Sequence, residues 1–85
     1  MINIILDSVQ ISSTKDLYEQ LDSFLHFPDY FGYNLDALYD IISETNESVS
    51  LTIINLKKLE ANLGNTYCQK LLQVFQHNNI ITNIL

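Results

Sequence analysis

The order of apolar patterns along this chain predicts an α/β fold. The expectation is a two-layer domain over residues 1–85, with a three-stranded parallel sheet and three to four helices on one face. Three observations carry it. Short apolar, β-branched runs lie at 2–6, 49–54 and 80–85. Stretches with apolar residues at helical spacing separate them. Strands that alternate with helical segments need crossover connections, which pair strands in parallel and, when right-handed, gather the helices on one side.

Taken in order, Ile2-Asn3-Ile4-Ile5-Leu6 reads as a strand buried on at least one face. Asp7 to Ser12 reads as a polar connector. Ser13 with Asp16 approximates a capping box, Asp replacing the usual Glu. Leu17, Leu21, Phe24 and Leu25 then give a first helix its apolar stripe. That helix must stop before Pro28, because the residue preceding proline disfavours the helical region. The loop that follows holds Pro28, which lacks a backbone donor, and Gly32, which can take a positive φ. Asn34 is a good N-cap for a second helix running to about Ser43, with Leu35, Leu38 and Ile42 inward.

Glu44 to Ser48 is a polar breaker, and Val49 to Ile54 reads as the second strand. Asn55 to Ala61 reads as a helical turn with Leu56 and Leu59 inward. Residues 62–65 break the chain, and Thr66 is a plausible N-cap. Cys68, Leu71, Leu72 and Phe75 form the stripe of a last helix, which Asn78-Asn79 ends. Ile80 to Leu85 reads as the final strand. There is no internal repeat, linker or low-complexity segment.

Composition narrows the function. At 85 residues the chain can bury one modest core, and 47% hydrophobic residues mark it as globular. The formal net charge is -6, with four Lys and no Arg. Phosphate binding needs clustered cations, so nucleic acid is not expected as a direct partner. A basic protein surface is the better complement. Between Asp16 and Glu47 there are eight acidic residues and no Lys or Arg. One cysteine allows no internal disulfide and suits a reducing compartment. The N-terminus lacks a secretory pattern and no run approaches a membrane span. A cytoplasmic protein without a membrane partner, monomeric when free, is expected.

Candidate chemistry concentrates around the second helix. Tyr33, Asp36, Asp40 and Ser43 are spaced 3, 4 and 3 apart, which puts them on one helical face away from Leu35, Leu38 and Ile42. Asp36 and Asp40 could serve as general acid and base, but on one convex helix surface they lack the opposing geometry that such work needs. His26, His77, Asp36 and Asp40 are available metal ligands, yet no metal-binding spacing joins them; no metal or cofactor is expected. Cys68 falls on a buried stripe, where it acts as a small hydrophobe rather than a reactive thiol. Among the aromatics, Phe31 and Tyr39 are expected in the core. Tyr30 and Tyr33 suit either packing or a protein interface, since interfaces favour tyrosine anchors. The acidic face suits a further role. A carboxylate fixed on a helix can stand where a substrate phosphate would, accepting charge-assisted hydrogen bonds from a nuclease site. Asp40, between apolar neighbours, fits that role, and Asp36 would engage a second cation.

These residues carry a resemblance. Pro28-Asp29-Tyr30-Phe31-Gly32-Tyr33-Asn34-Leu35-Asp36-Ala37-Leu38-Tyr39-Asp40 is similar, almost position by position, to the P-x-Y-(Y/F)-G-x-N-L-D-A-L-(W/Y)-D pattern of the barstar family of intracellular ribonuclease inhibitors. Leu72-Gln73-Val74-Phe75 and the segment from the first strand through Leu21 also resemble family stretches. The resemblance implies a barstar-like domain that inhibits a basic, barnase-like ribonuclease by occluding its active site with the second helix and the loop before it. Carried over by position, Tyr30, Gly32, Asn34, Leu35, Asp36, Ala37, Tyr39, Asp40 and Ser43 face the enzyme, with Asp40 central. Tyr33 joins them from the helix-face reading. His77 replaces a family glutamate on the last helix and would lose one acid–base contact; it stays among the candidate partner-binding residues. Glu44-Thr45-Asn46 lacks an aromatic found in some members, and the Asn78-Asn79 turn is shorter. These departures point to a related or divergent nuclease. The alternative is an acidic interaction module that docks on a basic protein without inhibiting catalysis.

Overall fold

A computed structural model describes residues 1–85. Strand β1 spans Ile2–Asp7, followed by a 3-10 turn at Ser8–Gln10 and helices α1, Thr14–Leu25, and α2, Leu35–Glu44. Strand β2 is Val49–Ile54, α3 is Leu56–Leu63, α4 is Asn65–His77, and β3 is Ile81–Ile84. The three strands pair in parallel in the order β1-β2-β3, with Ile4 opposite Leu51 and Ser50 opposite Ile81. This is the expected α/β arrangement of three parallel strands, with four helices.

One face of the sheet is covered. Ile4 and Leu6 of β1 and Leu51 and Ile53 of β2 are fully buried against Leu17, Tyr18 and Leu21 of α1, Leu38 and Ile42 of α2, and Leu71 and Phe75 of α4. Ile5 and Ile54 are exposed, so β1 and β2 divide between core and solvent, while β3 at the sheet edge buries no residue fully. α1 packs on β1 and α4 on β3, while α2 and α3 both pack against α4.

The helix ends follow their caps. Ser13 Oγ accepts from Asp16 N at 3.3 Å, and Asp16 Oδ2 accepts from Ser12 N at 3.0 Å, one residue before the cap. α1 stops at Leu25, where His26 turns left-handed (φ 55°) and Asp22 Oδ1 accepts from Phe27 N at 2.6 Å. Asn34 caps α2 as expected, Oδ1 accepting from Ala37 N at 2.8 Å.

Several expectations need correction. The connector after β1 is partly ordered: Asp7 Oδ1 accepts from Val9 N at 3.2 Å to cap the 3-10 turn, and Ile11 is buried in the core. α3 is an eight-residue helix rather than one turn, capped by Asn55. The break at 62–65 reduces to Gly64, whose φ of 89° redirects the chain by itself. α4 therefore starts at Asn65, and Thr66 lies inside its first turn rather than at the cap. Val74 is more buried than Leu72, so the inward stripe is Cys68, Leu71, Val74 and Phe75. Ile80 and Leu85 fall outside β3.

Candidate protein-binding face

The loop before α2 is built on aromatic packing. A turn closes from Phe31 N to Pro28 O at 3.0 Å. The Phe31 ring is buried, stacked on Phe27 with centroids 3.8 Å apart. Tyr33 meets Phe31 edge-on at 5.5 Å and Tyr18 of α1 at 6.3 Å. The positive φ of this loop belongs to Tyr33 (51°), not to Gly32 as expected. Gly32 is needed for space: a Cβ there would stand 2.9 Å from Asn34 Nδ2, which donates to Gly32 O at 3.1 Å. A tyrosine in the left-handed region persists only where its surroundings enforce it.

Two side chains left open by sequence are now placed. Tyr30 is 87% exposed and Tyr33 62% exposed, so both present surface. Tyr39 was expected in the core but is 39% exposed. It follows Leu38 by one residue, a rotation of about 100° on a helix, which carries it off the inward stripe to the flank nearest α4. Leu35 and Ala37 are half-buried, and Gly32, Asn34, Asp36, Asp40, Ser43 and His77 are exposed.

Asp36 and Asp40 both point outward on α2, one helical turn apart. The ion pairs are elsewhere, between the N-terminal amine and Glu47 and between Lys15 and Glu19. Neither aspartate is neutralised by a lysine of this chain. Asp36 lies in the first turn of α2, where the helix dipole favours negative charge. The exposed Ser43 hydroxyl donates to Asn78 Oδ1 at 3.0 Å, tying the end of α2 to the end of α4.

The face continues onto α4. A groove of about 340 Å³ is lined by Leu35, Asp36 and Tyr39 on one wall and Lys70, Gln73, Val74 and His77 on the other. It brings His77 beside Asp36 and Tyr39. Lys70 and Gln73 were missed by sequence reasoning, although their spacing with His77 marks one exposed stripe of α4. A hollow of about 410 Å³ shares Leu35, Asp36 and Lys70 with the groove and extends to Tyr33 and Tyr67.

The remaining candidates are placed plainly. His26 ends α1, and no three His, Cys, Asp or Glu side chains converge. Cys68 is buried, and burial, aided by nearby Glu60, pushes its thiol up from the ordinary value of 9.0. A hollow of about 510 Å³ lies among the end of α2 and the starts of β2 and β3, with Glu47 its one ionisable side chain. No helix is long and apolar enough to cross a membrane.

An α/β domain that presents two exposed aspartates without ion pairs on one helix, beside an aromatic loop, has a surface suited to binding a protein. Comparison with known proteins gives the family. The family model described as Barstar (barnase inhibitor) matches residues 1–81. A protein of Bacillus subtilis (strain 168) named "Putative ribonuclease inhibitor YrdF" is 34% identical over 77 residues, covering 89% of this chain and 84% of that protein. The chain belongs to the barstar family.

Proposed function

We propose that this protein inhibits a basic, barnase-like ribonuclease by laying α2 and the loop before it into the enzyme's active-site cleft. One observation carries the reading: the Asp36 and Asp40 carboxylates are exposed on one face of α2 and unpaired within the chain. A nuclease cleft that grips phosphate concentrates cations, and a fixed carboxylate meets them with charge-assisted hydrogen bonds. Asp40 takes the place of the scissile phosphate, and Asp36 meets a second cation. Tyr30, Gly32, Tyr33, Asn34, Leu35, Ala37 and Tyr39 form the surrounding contact surface, with Ser43 and His77 at its edge. A net charge of -6 draws a basic partner in from a distance. Membership of a family described as barnase inhibitors and the name of the YrdF relative support the same reading.

The protein has no reaction of its own on this account. It holds the ribonuclease inactive inside the cell that makes both. Titrating the chain into barnase while RNA cleavage is followed tests the proposal. Cleavage should fall to zero at a stoichiometric endpoint. Binding without loss of cleavage would favour an acidic docking module instead, and full cleavage in excess chain without binding would refute inhibition of barnase itself.

A further inference from the structure

We propose that Tyr18 and Tyr67 are positioning residues: their paired hydroxyls hold the partner-facing loop in its binding conformation before any partner arrives. The consequence for binding rests on the function proposed above, whereas the loop-holding role stands apart from it. Tyr18 lies in α1, fully buried, and its ring is the one aromatic outside the loop that touches the loop's own rings, Phe31 at 5.7 Å and Tyr33 at 6.3 Å. Its hydroxyl has one partner, the hydroxyl of half-buried Tyr67 on α4, at 2.6 Å. The pair spans 49 residues of sequence and joins α1, α4 and the loop at one point.

Two further features locate the constraint. The loop has little backbone bonding of its own, chiefly the turn from Phe31 N to Pro28 O and the Asn34 cap. Tyr33 nevertheless holds a φ of 51°, which its edge-on contacts with Tyr18 and Phe31 enforce. A buried phenol must keep its hydrogen-bond partner. If Tyr67 loses its hydroxyl, the Tyr18 hydroxyl is stranded, and its ring has room to shift into the hollow of about 300 Å³ that Tyr18 already lines with Thr14, Lys15, Glu19 and Tyr33. Moving that ring removes the support of Phe31 and Tyr33.

The experiment compares Tyr67→Phe with the double variant Tyr18→Phe/Tyr67→Phe. Each keeps every ring, and the double variant leaves no stranded hydroxyl, a change that can be nearly neutral. The readout in the free protein is amide hydrogen exchange at Phe31 relative to the amides of α1 and β1. Tyr67→Phe should speed exchange at Phe31 by roughly three- to tenfold with the α1 and β1 amides little changed, and the double variant should restore it. Apparent affinity for barnase should fall only as far as the closed fraction of the loop falls, so a loop that stays mostly closed binds almost as tightly. Unchanged Phe31 exchange, or a rise matched in α1 and β1, overturns the proposal. Failure of the unaltered chain to inhibit barnase counts against the proposed function alone, since the exchange comparison needs no partner.

Discussion

Gly32 and Asn34 are packed so closely that a methyl group on Gly32 would stand 2.9 Å from the Asn34 amide nitrogen. Asn34 cannot yield freely, because its Oδ1 caps α2 at Ala37 N while its Nδ2 holds Gly32 O. The glycine thus protects the cap that aims the acidic helix. Gly32→Ala should cost about 1 kcal/mol of stability, the usual worth of an N-cap. Urea unfolding should show a lower midpoint with an unchanged slope. A midpoint equal to that of the unaltered protein would mean that the cap re-forms around the methyl group.

Alkaline pH should weaken the fold. Burial first, and then the bond to Tyr67, pushes the Tyr18 phenol well above its ordinary value of 10.0, and burial raises the Cys68 thiol above 9.0. Both groups are acids whose folded forms hold the proton more tightly than the unfolded chain does. The unfolded state therefore binds fewer protons once pH passes those ordinary values, and stability falls as pH rises. Below about pH 8 neither group contributes a slope. Chemical denaturation from pH 8 to 11 should show the decline, and Tyr18→Phe should flatten its upper part.

Lys70 stands on the α4 wall of the groove, opposite Asp36, as a cation on an otherwise acidic face. Against a basic ribonuclease it opposes the attraction. Lys70→Glu should speed association with barnase several-fold at low ionic strength and steepen its salt dependence, since rim charges act mainly on the encounter rate. Stopped-flow mixing across salt concentrations measures this. Slower association would mean that Lys70 meets an acid of the partner.

Much of this architecture was legible because local rules decided it. Val49–Ile54 was bounded by sequence alone, and Asn34 was readable as a cap because its side chain serves its own neighbours. The outward turn of Asp36 and Asp40 followed from the helix period set by Leu35, Leu38 and Ile42. What escaped notice depended on distant partners or on one backbone angle. Gly64 ends α3 and admits α4 through a single positive φ, which no pattern of apolar residues encodes. The left-handed angle falls on Tyr33, which packs edge-on against Tyr18, rather than on Gly32, and no residue preference encodes that. Tyr39 sits where the α2 stripe meets α4, so its exposure depends on how those helices pack. Lys70 and Gln73 joined the face only once α2 and α4 were side by side.

The most direct test of the acidic-helix account is the affinity of Asp40→Ala for barnase, measured by titration calorimetry beside the unaltered chain. Asp40 is exposed and unpaired within the protein, so its removal should change folding stability by no more than about 0.5 kcal/mol. Binding should weaken by about 2–5 kcal/mol, the cost of truncating one member of a desolvated charge pair, a range to which barnase–barstar complexes themselves contributed. An Asp40→Ala protein that folds normally and binds barnase as tightly as the unaltered chain would contradict the claim that this carboxylate stands in for phosphate.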